Sequence, residues 1–336
     1  MLDVMLTMSL SNPSQTSLCF VTNPCPRYLC KPRLWQLQAT PPSSIILNAD
    51  ESGKFSRNLH GSNLVSGKGE ESGAPFLTQG SSVGIIGGFS VDATLNFISK
   101  LVELSSEDGR RTSSNIPFVL CSDPVLNKEL LSYERSCFVA SKGESLKPDC
   151  YSQIVQSLRS KRAFLENSGA GCIVMPCNVS HSWYEQVSKG CSVTFLHMAE
   201  CVAKELKEAK LKPLEAGSPL RIGVLATNAT LAAGFYKEKL QNEGFEVVLP
   251  DRATMEHTVI PATEALDRKD REGACNLLRI ALQVLLVRAV NTVILASDEM
   301  RGLLPHDDPL LKKCIDPLDA LARSTINWVR SSGDNT

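Results

Sequence analysis

From Val83 onward the chain alternates short apolar runs with longer amphipathic stretches, and it does so twice. Val83 to Ile86, Ile116 to Cys121, Cys172 to Met175 and Val193 to His197 read as buried strands. Residues 91–104, 151–167, 180–187 and 199–209 space their apolar side chains for one helical face, and in the first of these Leu95, Ile98 and Val102 form the expected core-facing stripe. The stretch after Cys121, rich in charge and Ser, shows no regular period. Lys210 to Pro219, with Pro213 and Gly217, reads as a linker, after which the pattern restarts. Strands are expected at 220–226, 245–249 and 292–296, and helices at 230–241, at 264–289 with a break near Gly273, and at 317–330. Strands that alternate with helices demand parallel βαβ units, with helices on both sheet faces. The fold class is therefore α/β.

Two openings echo one another. GIIGGFSVDATLNF starts at Gly84 and GVLATNATLAAGFY at Gly223, so Asp92-Ala93-Thr94-Leu95 and Asn228-Ala229-Thr230-Leu231 follow a strand in matching places. The echo predicts two pseudo-symmetric lobes, 82–212 and 218–312, each a parallel sheet flanked by helices, with a last helix, 317–331, packing on the first. Ahead of them, residues 1–49 carry one acid, Asp3, against Arg27, Lys31 and Arg33, and recurrent Ser and Thr. That composition reads as an organelle transit peptide, and sparse Arg favours a chloroplast (stromal) destination; a disordered tail is the alternative. Residues 50–81 read as a flexible linker. A net charge of −1 gives no footprint for nucleic acid or an anionic membrane. No segment approaches the ~18 apolar residues of a membrane span. The 12 cysteines contain no CxxC pair, which argues against a metal site or a disulfide scaffold.

Cys177 stands out among them. It follows the run Gly171-Cys172-Ile173-Val174-Met175 and opens Pro176-Cys177-Asn178-Val179-Ser180-His181, so its thiol lies at the carboxyl end of a strand, where open α/β sheets place ligands. A helix start there is expected to pull the thiol below its usual ~8.5 and make it a base or nucleophile; a merely buried thiol is the structural alternative. The Gly87-Gly88 turn lacks GxGxxG spacing and has no acid at the end of a clear second strand, so a dinucleotide site is set aside. Its amides, with Ser90 and Thr94, suit a small anion such as a carboxylate. Asp92 reads as a helix N-cap.

Taken together, IGGFSVDAT (from Ile86), MPCNVSHSWYE (from Met175), VTFLHMAE (from Val193) and RIGVLATNAT (from Arg221) resemble the aspartate/glutamate racemase family, relatives of hydantoin racemase. The resemblance spans about Val83 to Val329, and PCNVSH is its most specific piece. It implies a homodimer, no cofactor, and a small acidic amino acid or dicarboxylate bound in a cleft between the lobes with a cysteine on each side. Such a pair has a physical logic, since racemisation removes a Cα proton from one face and returns one to the other.

In the second lobe the family carries GCTE; here Ala296-Ser297-Asp298-Glu299 stands in its place, so Ser297 replaces the second cysteine. A serine can donate a proton but is no resting base, which points to a one-way conversion started by Cys177, with Asp298 or Glu299 as the alternative base. Ser297 as an N-cap and Asp298 and Glu299 as solvated first-turn acids are the structural readings. The resemblance also places Asn178, Ser180 and Thr227 at the substrate and Glu299 behind it. His181 is either a supporting side chain or an ordinary helix residue, and His197 is as readily structural. The family's substrate-gripping arginine is missing from Ser122-Asp123-Pro124-Val125-Leu126-Asn127-Lys128, where Lys128 offers a point charge instead. Two other functions fit the same residues: a single-cysteine decarboxylase or isomerase, and a non-catalytic carboxylate-binding dimer.

Overall fold

The computed structural model describes residues 18–21, 47–49, 55–57, 82–106, 116–140, 150–213 and 217–333. Of residues 1–81, only the short strands β1 (Leu18–Val21), β2 (Leu47–Ala49) and β3 (Phe55–Arg57) are described, so the expected transit peptide and linker otherwise lie outside the described residues.

The first lobe runs β4 (Val83–Gly87), α1 (Val91–Ser106), β5 (Phe118–Ser122), α2 (Pro124–Ala140), α3 (Cys150–Asn167), β6 (Cys172–Val174), a 3₁₀ turn at Val179–Trp183, α4 (Tyr184–Ser188), β7 (Thr194–Phe195) and α5 (Met198–Glu208). The second runs β8 (Arg221–Ala226), α6 (Asn228–Ala233), α7 (Phe235–Asn242), β9 (Glu246–Val248), α8 (Arg252–Thr254), a π-helical turn (Met255–Val259), α9 (Ile260–Asp267), α10 (Arg271–Val287), β10 (Thr292–Ala296), β11 (Cys314–Ile315) and α11 (Pro317–Gly333). Strand order is β5-β4-β6-β7 in one sheet and β9-β8-β10-β11 in the other, every pair parallel; β1 adds antiparallel to the outer edge of β5. In both sheets the first strand of the lobe is flanked by the second on one side and the third on the other. That arrangement creates a switch point between the carboxyl ends of β4 and β6, and another between those of β8 and β10.

All residues of β4, β6 and β10 are buried, as covered parallel strands require. One core joins the lobes: Val83, Ile85 and Val174 share a cluster with Ile222, Val224 and Ile294, bridged by Val202 of α5 and Leu318 and Leu321 of α11. The far side of each sheet has its own core. The last helix packs on the first lobe, where Asp319 pairs with Lys100 of α1 and Arg323 makes a two-pronged bond to Glu205 of α5.

Four local expectations change. Helix α1 buries Ala93, Thr94, Phe97 and Leu101, while Leu95 (59%) and Val102 (56%) are exposed; the helix carries two apolar stripes, and the one with the aromatic ring and small neighbours packs under the sheet. The stretch after Cys121 is the 17-residue α2. Asp123 caps it, accepting from the Val125 N–H at 3.0 Å with Pro124 at the first helical position, a start signal the local charge obscured. Gly234, at φ +73°, splits the helix expected at 230–241. The long helix breaks at 268–270, not at Gly273, which sits in the first turn of α10 and donates to its cap, Asp270, at 2.8 Å.

Candidate active site

The two switch points face each other across a cavity of about 450 Å³. Its wall combines Phe89, Ser90 and Asp92 after β4, Asn127, Lys128 and Glu134 of α2, Asn178 after β6, Thr227 after β8, and Ser297, Asp298 and Glu299 after β10. Cys177 lies just behind that wall, 3% exposed. Asp298 of the other lobe and the Ser180 backbone amide both lie close enough to act on the Cys177 thiol. The Ser180 hydroxyl closes the turn by donating to the Cys177 carbonyl at 2.7 Å.

Ser297, 2% exposed, is held by the matching local contact, accepting from the Met300 N–H at 3.4 Å. The residues that follow the pair meet directly: Asn178 Nδ2 donates to Asp298 Oδ1 at 2.7 Å. Tyr236 O–H donates to Asn178 Oδ1 at 2.7 Å, and Arg301 Nη2 donates to Asp298 at 3.0 Å. Arg301 in turn faces Asp316 at 3.3 Å. Asp298, half-buried, is thus a hydrogen-bonded junction and not a solvated helix-start acid, and residues 298–302 form turns, not a helix.

The sequence profile of the Asp/Glu/hydantoin racemase family matches residues 86–325. The chain belongs to that family. It is 22% identical over 249 residues to the broad specificity amino-acid racemase RacX of Bacillus subtilis, covering 73% of this chain and 96% of RacX. The aspartate racemase of Picrophilus torridus superposes with a TM-score of 0.55 at 25% identity, over 75% of this chain and 94% of that one. An aspartate racemase homologue from Pyrococcus horikoshii OT3 shares the fold, with a TM-score of 0.57 at 21% identity over 74% and 99% of the two chains. This is an amino-acid racemase-type protein.

Within this candidate site, the expected thiolate at Cys177 is corrected. Burial first, then the Asp298 carboxylate, raise the thiol well above its usual range, and the Ser180 N–H offsets only part of that. The element after Cys177 is a five-residue 3₁₀ turn, which offers the sulfur one amide and little macrodipole. At rest Cys177 is a neutral thiol.

Other expected residues fall into three groups. Ser90, Lys128, Asn178, Thr227 and Glu299 line the cavity. Ser90 also caps α1, accepting from the Ala93 N–H at 3.1 Å, the role expected of Asp92. Thr94 does not reach the cavity: it is buried against Gly87 and its hydroxyl donates to the Ser90 carbonyl at 2.8 Å. Ser180 likewise serves Cys177, not the cavity. His181 Nε2 meets the Met175 carbonyl at 3.0 Å, and since a carbonyl only accepts, that nitrogen carries the proton. It steadies the Cys177 loop beside His197, whose ring centroid is 4.8 Å away. Burial keeps both rings neutral, lowering His197 to about 3; His197 caps α5.

Three residues escaped the sequence reading: Tyr236, Arg301 and Glu134. Burial, then Glu299 and Asp298, push Glu134 up to about 7, with Thr227 beside it acting in the opposite direction. Glu134 did leave a signal. It falls four residues after Leu130 and eight after Leu126, an acid continuing the buried stripe of α2. Glu299 is exposed at the cavity, yet the partial desolvation there, then Asp267 and Asp298, also raise its carboxyl. Among the described residues no helix is long and apolar enough to cross a membrane, and no cluster suits a metal ion.

Proposed function

We propose that this protein transfers a proton at the Cα of an amino acid without a cofactor, through the Cys177–Asp298 pair that joins the two lobes. The Asn178–Asp298 hydrogen bond, which joins the two strand ends beside Cys177 at the edge of the shared cavity, carries the reading. Asp298 takes the thiol proton, the thiolate formed takes the Cα proton, and Ser297 or a water it holds delivers a proton to the opposite face, to be replaced from solvent. Arg301 and Asn178 hold Asp298 in place for its part in this transfer. The arrangement is asymmetric. Because enantiomers are equal in energy in water, kcat/KM must be the same in both directions, so the asymmetry shows in kcat and KM separately.

The test is α-deuterium wash-in for a panel of L- and D-amino acids. The enantiomer whose Cα–H faces Cys177 exchanges, and Cys177→Ala abolishes it. Exchange in no amino acid, or exchange indifferent to Cys177→Ala, overturns the reading. Asp298→Asn is expected to move the pH profile of Cys177 alkylation to lower pH, because the carboxylate that raises the thiol has gone.

The side chain of the substrate is a separate question. Aspartate and glutamate name the family, and Lys128 offers a cation to a second carboxylate, but Asp92, Glu134, Asp298 and Glu299 stand in the same wall. A second reaction is favoured by one observation, the resting protonated thiol with serine opposite: such a thiol suits reprotonation of a carbanion left by loss of carbon dioxide. Carbon dioxide release from malonate-type diacids separates the two reactions. The acid-poor, hydroxyl-rich segment 1–49 supports plastid delivery, which a fluorescent fusion of residues 1–81 checks, and sedimentation checks the dimer implied by the family.

A further inference from the structure

Beyond the first chamber lies a second cavity of about 680 Å³, and the two share Leu131, Glu134, Thr227 and Glu299 in their walls. Glu134, from the first lobe, and Glu299, from the second, thus stand at the passage between them. Each acid lifts the other or is lifted by the acids around it, and neither pairs with a cation among the described residues. Asp298, by contrast, has Arg301. Neighbouring carboxylates that line the same cavity walls repel unless a proton or a cation lies near them. The second chamber offers Met255, Val259 and Ile260 as apolar wall, then more acid in Glu264 and Asp267.

We infer that the amino acid handled at this site carries a positive charge at the end of an aliphatic side chain, with Glu134 and Glu299 as its counter-charge. Its Cα would sit in the first chamber beside Cys177 and Ser297, its methylenes would pass Leu131, and its ammonium or guanidinium would replace the missing cation at the passage. An acidic substrate would bring a further carboxylate to a wall that has Lys128 alone to receive it. This substrate class rests on Cα proton transfer as the reaction; the charge preference itself is measured by binding.

Calorimetric titration of the full chain with lysine, ornithine, arginine, norleucine, aspartate and glutamate tests it, alongside wash-in for each. Lysine is expected to bind at least tenfold tighter than norleucine, an aliphatic analogue without the charge, and tighter than aspartate or glutamate. That margin should fall to under threefold in Glu134→Gln or Glu299→Gln, while norleucine binding stays unchanged. Tighter binding of aspartate or glutamate, equal binding of lysine and norleucine, or no binding of any cationic amino acid overturns the inference. The wild-type panel decides this even if a variant fails to fold. Charge-selective binding with no α-hydrogen exchange would refute the reaction and leave the charge preference standing.

Discussion

Cys177 and Ser297 occupy the same place in two sheets of the same strand order, each after the third strand of its lobe. Their successors, Asn178 and Asp298, are equivalent as well, and they hydrogen-bond to each other across the cleft. Backbone symmetry therefore brings the two strand ends together, while a one-atom-class difference at each position sets their chemistry. Thiol faces hydroxyl, and amide faces carboxylate. The amide donates, the carboxylate accepts, and that carboxylate also raises the thiol. Two carboxylates at these positions would leave the junction without its donor, and two amides would leave Arg301 without its carboxylate.

The largest break in the symmetry should be catalytic. If Cys177 is the group that transfers the proton, Cys177→Ala lowers wash-in by about 10²–10⁴-fold, while Ser297→Ala, replaceable by water, lowers it less than tenfold. Equal losses would mean that the two lobes share the chemistry evenly.

Next comes the first turn of each lobe. Gly88 holds φ +106° and packs against the Asp123 backbone, whereas Thr227, opening the shorter turn of the second lobe, sits at φ −66°. Gly88→Ala is therefore expected to cost about 2–4 kcal/mol in denaturant unfolding. A loss below about 1 kcal/mol would show that the longer turn is not strained in this way.

Glu134 gives a pH-dependent difference. Its carboxyl rises from 4.5 to about 7 on folding, so the folded chain keeps a proton that the unfolded chain releases within that window, and stability drains away as pH rises through it. Glu134→Gln removes the penalty. The variant should melt like the wild type near pH 4.5 and be more stable by about 1–2 kcal/mol at pH 8, allowing for screening in the open cleft. A constant difference across that range would place the effect elsewhere.

The smallest contrast lies in the caps. The Ser90 cap on α1 spans 3.1 Å and the Thr227 cap on α6 spans 3.5 Å, so Ser90→Ala should cost about 1 kcal/mol and Thr227→Val about half that in thermal melts. The reverse order would show that Thr227 owes its stability role to Glu134 and not to its cap.

Much of this was legible beforehand. The alternation of apolar runs placed all the central strands to within a residue or two, the echo at Gly84 and Gly223 matched β4 with β8, and the polar segment after Met175 put Cys177 at a strand end. Two local features were masked. In α1 two apolar stripes compete, and only the sheet above selects Phe97 over Leu95. In α2 the Asp123-Pro124 start and the stripe from Leu126 were present, but flanking charge hid them.

The sequence by itself determined what local periodicity can determine: strands, helices, their parallel connection and the strand ends where chemistry gathers. The tertiary structure alone decided which groups share those ends. Asn178 and Asp298 are 120 residues apart, and neither flanking segment contains any trace of their bond. The state of the Cys177 thiol was decided the same way. A helix start argues for a thiolate, but desolvation and a carboxylate from the other lobe outweigh one backbone amide, and both of those arise only when the lobes close on each other.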